Sequence, residues 1–440
     1  MRTLVASALV VCGCSNILGI GDLPAPTHDA APDAPTCPDG LSLCGTACVD
    51  LTSLDHCGAC DNPCPLLAGA TSTCEASTST CKLDTDEALN KAWSLTAPTP
   101  FLAFWKDGTL LAASGSAASL LSTGATPAST AFTALAGRPS IMIPSNPAIT
   151  EVAITHYGFF EGRTQGDVQH WMNGIHGCCG SGPDGFAIDA VLARMFTGHG
   201  VTEIDTDTGT TVLATDTSNQ HGSPFFVTST ALYLPRRGTA FVTKYDRNHV
   251  EQWTATLGDG TAITPGDAAI ASDGGIIVAT ATGDKLTRLR PTGAKAWEID
   301  VVSPGAPITT STGLVVLGAL KNNVPQLCAF DVATGAETWC TPTDAAVVDV
   351  LAGDDGVLYT ALASTPTLFG YDRATGRLRY TFRNLPAPQE IILRHHRVYA
   401  SGGGTVTALD VPAVCYDASS WPVRFHDNQR TRGTQASLEF

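Results

Sequence analysis

Charge is scarce in this chain. Only 15% of its 440 residues are Asp, Glu, Lys or Arg, and the basic ones are the rarer, 25 against 41 acidic. That balance repels a polyanion and sets nucleic acid aside as a partner; the short run Arg236-Arg237 reads as a solvated surface. Long apolar runs are missing too. None reaches the roughly 18 residues that a membrane-spanning helix needs, so lipid is the only membrane anchor this sequence offers. The familiar catalytic signatures are also absent: there is no Gly-x-Ser-x-Gly elbow, no phosphate-binding loop and no His-Glu-x-x-His helix.

What is present is a ruler. Trp93, Trp171, Trp253, Trp297, Trp339 and Trp421 are separated by 78, 82, 44, 42 and 82 residues, each close to one or two multiples of 41. Phe132, Val212 and Tyr380 stand at the skipped marks, and the nine marks have a 39–44 residue spacing. Such a period belongs to a stacked or radial array rather than to one globular core. The 43 glycines and the abundance of Ala, Thr and Ser add a turn-rich, all-β profile.

Residues 1–13 read as an export signal, with Arg2, an apolar stretch from Leu4 to Val11, and small residues ahead of a cysteine. Val11-Cys12-Gly13-Cys14-Ser15 resembles a bacterial lipobox. Cys14 fits as the acylated residue better than Cys12, because Gly13 precedes it and bulkier Val11 precedes Cys12. The resemblance implies lipidation at Cys14, and Ser15 in place of Asp implies the outer membrane or cell surface; without lipid the chain is periplasmic or secreted. Residues 14–36 are rich in Pro, Ala and Asp. They form an expected tether, of which the sixteen residues from Gly21 to Thr36 extend on the order of 50 Å.

Eight of the fifteen cysteines fall between Cys37 and Cys81, a density suited to an oxidising compartment. So short a segment, poor in large apolar side chains, needs about four disulfides to fold. The run from Cys44 through Cys48, Cys57, Cys60 and Cys64, with His56 before Cys57, resembles the stigma-specific cysteine-rich family, which implies an extracellular disulfide module over residues 37–81. A zinc site from His56, Cys57, Cys60 and Cys64 is the alternative.

From residue 87 to 440 the repeat takes over. Gly-containing turns such as Asp273-Gly274-Gly275 and Asp354-Asp355-Gly356 open β-branched strands. A second apolar alternation then ends in Asp, a tight turn and the aromatic mark, as in Asp331-Val-Ala-Thr-Gly335-Ala-Glu-Thr-Trp339 and Asp372-Arg-Ala-Thr-Gly376-Arg-Leu-Arg-Tyr380. The Asp caps the turn and the Gly takes its positive φ. Four strands per unit make an all-β propeller. The phrase apolar-Asp-x-x-Thr-Gly-x-x-x-Trp resembles the quinoprotein-like (PQQ-like) propellers. The span from Trp93 to Trp421 gives eight blades, with seven as the fallback. Closure is expected to pair the Trp93 strand with three strands between Gln389 and Asp410, and the tail around Trp421-Pro422 is expected on the outside.

Quinoprotein dehydrogenases of this superfamily stack their quinone on a disulfide of adjacent cysteines, and this chain has one adjacent pair of this kind, Cys178-Cys179. The carboxylate and amide ligands for calcium and the catalytic Asp have no counterpart here, so no cofactor is assigned and the pair is a candidate vicinal disulfide only. His156, His170, His176 and His199 follow no ligand spacing. Asp205-Thr-Asp207 reads as a turn cap rather than a calcium loop. His395-His396 reads as an exposed hairpin turn. Cys328 and Cys340 lie symmetrically about Thr334 and are candidates for a cross-strand disulfide. Cys415 is the candidate odd thiol. The resemblance implies a non-catalytic envelope lipoprotein that binds a protein or glycan partner; the alternative is a quinoprotein-type oxidoreductase or another propeller enzyme.

Overall fold

The computed structural model describes residues 37–60, 64, 71–75 and 80–85, and from 91 to 417 all but 106, 115–116, 125, 133–139, 143–151, 157–159, 165, 168, 174–185, 190–193, 198–201, 206–207, 209, 215–225, 229, 236–239, 259–264 and 281–283. Cys14, Cys178, Cys179, His176, His199 and Trp421 lie outside the described residues. Everything described is strand, turn or irregular chain.

From residue 91 onward the strands form eight four-stranded antiparallel meanders. The first is Phe101–Phe104, Leu110–Ala113, Ala118–Leu121 and Ser129–Phe132. The second is Ser140–Met142, Val152–His156, Phe160–Thr164 and Gln169–Asn173; the third is Phe186–Asp189, Arg194–Thr197, Thr202–Asp205 and Thr211–Ala214. The fourth is Phe226–Val227, Ala231–Pro235, Phe241–Asp246 and Glu251–Thr256; the fifth is Pro265–Ile270, Ile276–Thr280, Lys285–Leu289 and Lys295–Asp300. The sixth is Ile308–Thr309, Leu314–Lys321, Val324–Asp331 and Glu337–Pro342; the seventh is Val347–Ala352, Val357–Leu362, Thr367–Asp372 and Leu378–Arg383. The eighth takes Glu390–Arg394, Arg397–Gly402 and Thr405–Asp410 from the end of the chain and Lys91–Thr96 from its beginning. This is the expected closure, with Ala408 opposite Trp93.

Neighbouring sheets touch through their first strands, which places those strands innermost. Buried carboxylates tie two of these contacts: Asp349 accepts the Ile391 amide at 2.9 Å, and Glu390 accepts the Leu102 amide at 3.0 Å. The core is divided among the joints. One cluster joins Ile277 and Trp297 of the fifth sheet to Val315 and Phe330 of the sixth. Others join sixth to seventh, seventh to eighth, and eighth to first. No single sheet buries both of its faces alone; each does so only between neighbours.

The aromatic marks lie on the fourth, outermost strands. In seven of the eight sheets a β-bulge immediately precedes the mark, as between Lys244 and Tyr245 opposite Trp253. The extra residue shifts the alternation and aims the mark at the next sheet. One expectation is corrected by this register. In the third sheet the residue paired like the tryptophans is Leu213, opposite Glu203, whereas Val212 sits at the bulge and is 49% exposed. Counting residues along the chain cannot see a bulge, so the mark was placed one position early.

Three of the marks seat on turns of the following sheet. The Trp253 indole N–H donates to Pro291 O at 2.9 Å, that of Trp297 to Val332 O at 2.8 Å, and that of Trp339 to Arg373 O at 3.1 Å. Under each ring lies the glycine of that turn. A Cβ on Gly293, Gly335 or Gly376 would stand 2.7, 2.8 or 2.4 Å from an indole carbon, and each has a positive φ. The glycine thus serves two demands at once, left-handed backbone and room for the ring.

Two disulfides fix the start of the cysteine module, Cys37–Cys48 and Cys44–Cys60, around the small hairpin Ser42–Cys44 and Ala47–Val49. Cys57–Cys74 and Cys64–Cys81 join it to a second hairpin, Thr71–Glu75 and Thr80–Thr85. That hairpin does not stand apart. Its second strand pairs in parallel with the outer strand of the seventh sheet, Leu83 opposite Tyr380 and Thr85 opposite Phe382.

Gly335→Ala is expected to lose about 3 kcal/mol, from a strained φ and an overlap with Trp297. Gly313, at φ 76 with nothing within 4 Å of an added Cβ, supplies the control: Gly313→Ala should lose only about 1 kcal/mol. Urea unfolding of both variants measures the difference, and equal losses would refute a packing role for Gly335.

Candidate functional site

A meander ring presents its turns at two ends. The turns between first and second strands, and between third and fourth, open at one end. Those between second and third strands open at the other.

The first end is crossed by residues 411–417, which run back over three sheets. The Val411 amide donates to His396 O of the eighth sheet at 2.8 Å. Over the seventh, Val414 N donates to Asp354 Oδ1 at 2.9 Å, Asp354 N to Cys415 O at 3.0 Å, and Asp417 N to Ala352 O at 2.8 Å. Tyr416 bridges Gly353, and its hydroxyl accepts the Leu393 amide at 3.1 Å. At the far end the buried Asp417 carboxylate accepts from the amide and hydroxyl of Ser311 in the sixth sheet and pairs with Arg373 in the seventh. The segment is a strap held by backbone bonds along its length and by a charged anchor at its end.

Beneath the strap, Tyr359 donates to Asp355 Oδ2 at 2.8 Å. Burial pushes the Asp355 carboxyl above the usual carboxylate range, against the opposing hydrogen bond from Tyr359. Burial also raises the Tyr359 hydroxyl well above its ordinary value, with the Asp355 charge adding to it. Their place in the packed turn makes the pair a structural bond rather than a proton donor to solute.

The opposite end is marked by one feature. The second and third strands of the sixth sheet are eight residues each, where those of the other sheets have four to six. Two extra residues per strand carry the tip about 7 Å beyond its neighbours. Asn322 and Asn323 make the two-residue turn with φ 54° and 62°, as a tight hairpin matched to strand twist requires. Val324 and Val302 flank this hairpin, 43% and 45% exposed, and Val302 bridges Leu320. Midway along its second strand Cys328 lies directly opposite Cys340 of the outer strand, and the two form a disulfide with Cα atoms 4.1 Å apart.

Other sequence-derived candidates fall as follows. Asp205 caps its turn by accepting the amide and hydroxyl of Thr208, each at 3.0 Å. Asp331 does the same for Thr334, and these bonds hold its carboxyl below the usual range. His395 and His396 form an exposed turn with φ 45° and 61°. Cys415 stands outside the five disulfides, its Sγ 3.3 Å from Asp354 Oδ2. The zinc alternative loses its ligands, because Cys57, Cys60 and Cys64 are all spent in disulfides. The sulfurs of Cys57, Cys64 and Cys81 lie within 4.8 Å of one another because two disulfides stack. His156 and His170 lie on adjacent hairpins of the second sheet. The strap and the long hairpin escaped the sequence reading; the Asn322-Asn323 dipeptide was the signal available for the hairpin.

The fold is a β-propeller behind a disulfide-rich N-terminal region. Residues 239–347 and 287–413 match the family model described as outer membrane protein assembly factor BamB. No curated protein matches the chain significantly. The crystal structure of BamB from Moraxella catarrhalis superposes with a TM-score of 0.51 at 16% identity, covering 73% of this chain and 99% of that one. Sqt1 from Saccharomyces cerevisiae gives 0.58 at 11% identity, with 73% and 99% covered. The C-terminal WD40 domain of Sif2 gives 0.57 at 8%, with 73% and 98% covered. At these identities the likeness is one of fold.

Removing the strap's anchor by Asp417→Ala should cost about 3 kcal/mol, since Arg373 is left half-buried without its carboxylate. Limited proteolysis should then cut within residues 411–417, and an unchanged digest would refute the anchor. Alkaline pH gives a second test. Burial pushes the Tyr371 and Tyr380 hydroxyls up to about 12, so folding holds them neutral. Their contribution is complete below about pH 10, where unfolded tyrosine ionises, and is lost as pH rises toward 12. Phenolate absorbance should therefore lag behind that of unfolded chain until the protein unfolds in that window; early, complete titration of the folded protein would contradict it.

Proposed function

We propose that this protein is a non-catalytic envelope lipoprotein whose propeller is a binding or scaffold module for a protein or glycan partner. The observation that carries the reading is the match of residues 239–413 to the family of an outer membrane protein assembly factor. In this reading lipid on Cys14 anchors the chain at the outer membrane or cell surface. Residues 14–36 tether it, and the module of residues 37–81 leads into Leu83–Thr85, which set the orientation of the ring by pairing with the seventh sheet. The support from physical chemistry is rigidity: propeller turns held by wedges, strap and disulfides present side chains at little entropic cost on binding. The end bearing the long sixth-sheet hairpin is the docking face, since its exposed valines and stiff turn offer an apolar anchor ringed by polar groups.

The test is capture from envelope extracts with a Cys14→Ser chain as bait, beside the same chain carrying Val324→Glu. A defined partner retained by the first and lost or weakened at least about tenfold by the second is expected. Empty eluates from both would overturn the binding reading, and equal capture by both would move the docking face elsewhere. Dye reduction by the purified protein supplied with quinone and calcium would instead install the oxidoreductase reading.

A further inference from the structure

Three joints of the ring share one chemistry. At fourth to fifth, fifth to sixth and sixth to seventh, an outer-strand indole lies on the glycine of the next sheet's turn and donates to a carbonyl of that turn. At the first two of these, the residue paired with the indole is basic and donates to the same carbonyl: Lys244 Nζ to Pro291 O at 2.9 Å, and Arg288 Nη1 to Val332 O at 2.7 Å. The outer strand supplies the donors and the turn supplies the acceptor.

The joint from third to fourth is built the other way round. The mark is Leu213, and its strand partner is acidic, Glu203. On the fourth sheet the turn Asp246–Val250 repeats the bonds of Arg290–Ala294: Asp246 N to Val250 O matches Arg290 N to Ala294 O, and His249 N to Asp246 O matches Gly293 N to Arg290 O. His249 therefore occupies the glycine position, at φ 62° where Gly293 has 85°. At the wedged joints this turn position receives the indole of the preceding sheet, and here the preceding sheet has Leu213 at the register of the mark. The imidazole is buried, and its Nε2 stands 3.2 Å from Glu203 Oε2. The basic group has moved to the turn and the acceptor to the strand.

We infer that His249 and Glu203 form a polar latch that replaces the indole-on-glycine wedge at this joint, making it open before the three wedged joints. A left-handed backbone at a non-glycine residue costs free energy, and burying two polar side chains against each other carries a desolvation cost that an apolar contact of similar volume does not. An indole over glycine carries neither cost.

Hydrogen exchange read strand by strand, with Tm alongside, tests the exchange of parts. In the natural chain, amides of Thr211–Ala214 should exchange at least about tenfold faster than those of Lys295–Asp300. Glu203→Gln should speed exchange at this joint and leave the fifth sheet unchanged. Leu213→Trp alone should lower Tm, since a side chain stands where the wedged joints have glycine, and His249→Gly alone should lower it by leaving a void beside Glu203. Leu213→Trp with His249→Gly should restore Tm to at least the natural value and slow exchange to that of the wedged joints. A double variant no more stable than the sum of the singles, or a Glu203→Gln chain with unaltered exchange at Thr211–Ala214, would overturn the inference. Should the double variant fail to fold, the Glu203→Gln exchange result decides.

Discussion

An indole lying flat on a glycine of the next sheet is the contact from which most of this architecture follows. For the ring of Trp297 to reach Gly335, the outer strand must turn that side chain across to the neighbour, and the bulge before it provides the turn. For the ring to lie there, the turn must have no Cβ, and the hairpin's own geometry already demands a positive φ at that residue. The indole N–H buried there finds its acceptor in the turn carbonyl. Asp331 holds the turn in shape through Thr334. The recurring phrase of Asp, Thr, Gly and Trp is therefore one interaction written across two sheets: the Trp belongs to one joint, while the Asp and Gly of the same phrase serve the joint before it.

A ring made of such joints must still close, and the chain brings its first and last described segments to the same arc. The strand containing Trp93 completes the eighth sheet, the module's hairpin extends the seventh, and residues 411–417 lie across the sixth, seventh and eighth. The seventh sheet carries Tyr380 rather than Trp on its outer strand, and it is that strand which accepts the added pairing. The module's four disulfides give an edge partner so short a stiffness that its few apolar residues do not provide. The pairing also moves the edge of the seventh sheet outward to the short strand Thr71–Glu75.

How much of this was legible depended on whether the cause lay within a few residues. The caps at Asp205 and Asp331, the glycine turns and the hairpins could be read because each is a local bargain between side chain and backbone. The eightfold spacing of the marks could be read because one long-range contact recurs and imposes its period. The pairing of Trp93 with the last strands followed from the same arithmetic. Misplacing the mark at Val212 rather than Leu213 shows the limit, since a bulge changes register without changing composition. The parallel pairing of Leu83 with Tyr380 spans about 300 residues and has no turn to announce it. The strap is similarly silent: Asp417 means little until Ser311 and Arg373 are beside it.

The two ends of the ring have unequal chemistry, and the inequality bears on function. At one end the chain has used the turns of three sheets for its own strap, so their amides and carbonyls already have partners, and a ligand there must compete with an intramolecular segment present at high effective concentration. At the other end the sixth sheet extends a hairpin that nothing in the described chain covers, with valines at its flanks and a disulfide midway along its second strand. A tight Asn-Asn turn and a cross-strand disulfide both lower the entropy that a protruding hairpin loses on docking. Stiffening a projecting element costs conformational freedom without adding buried core, so its return in free energy comes where the element meets another surface. In the proposed docking reading the same logic explains why the strap is anchored by a buried charge and the hairpin is not: an internal segment needs its position fixed in the folded chain, whereas a docking element would gain from keeping its flanking valines uncommitted.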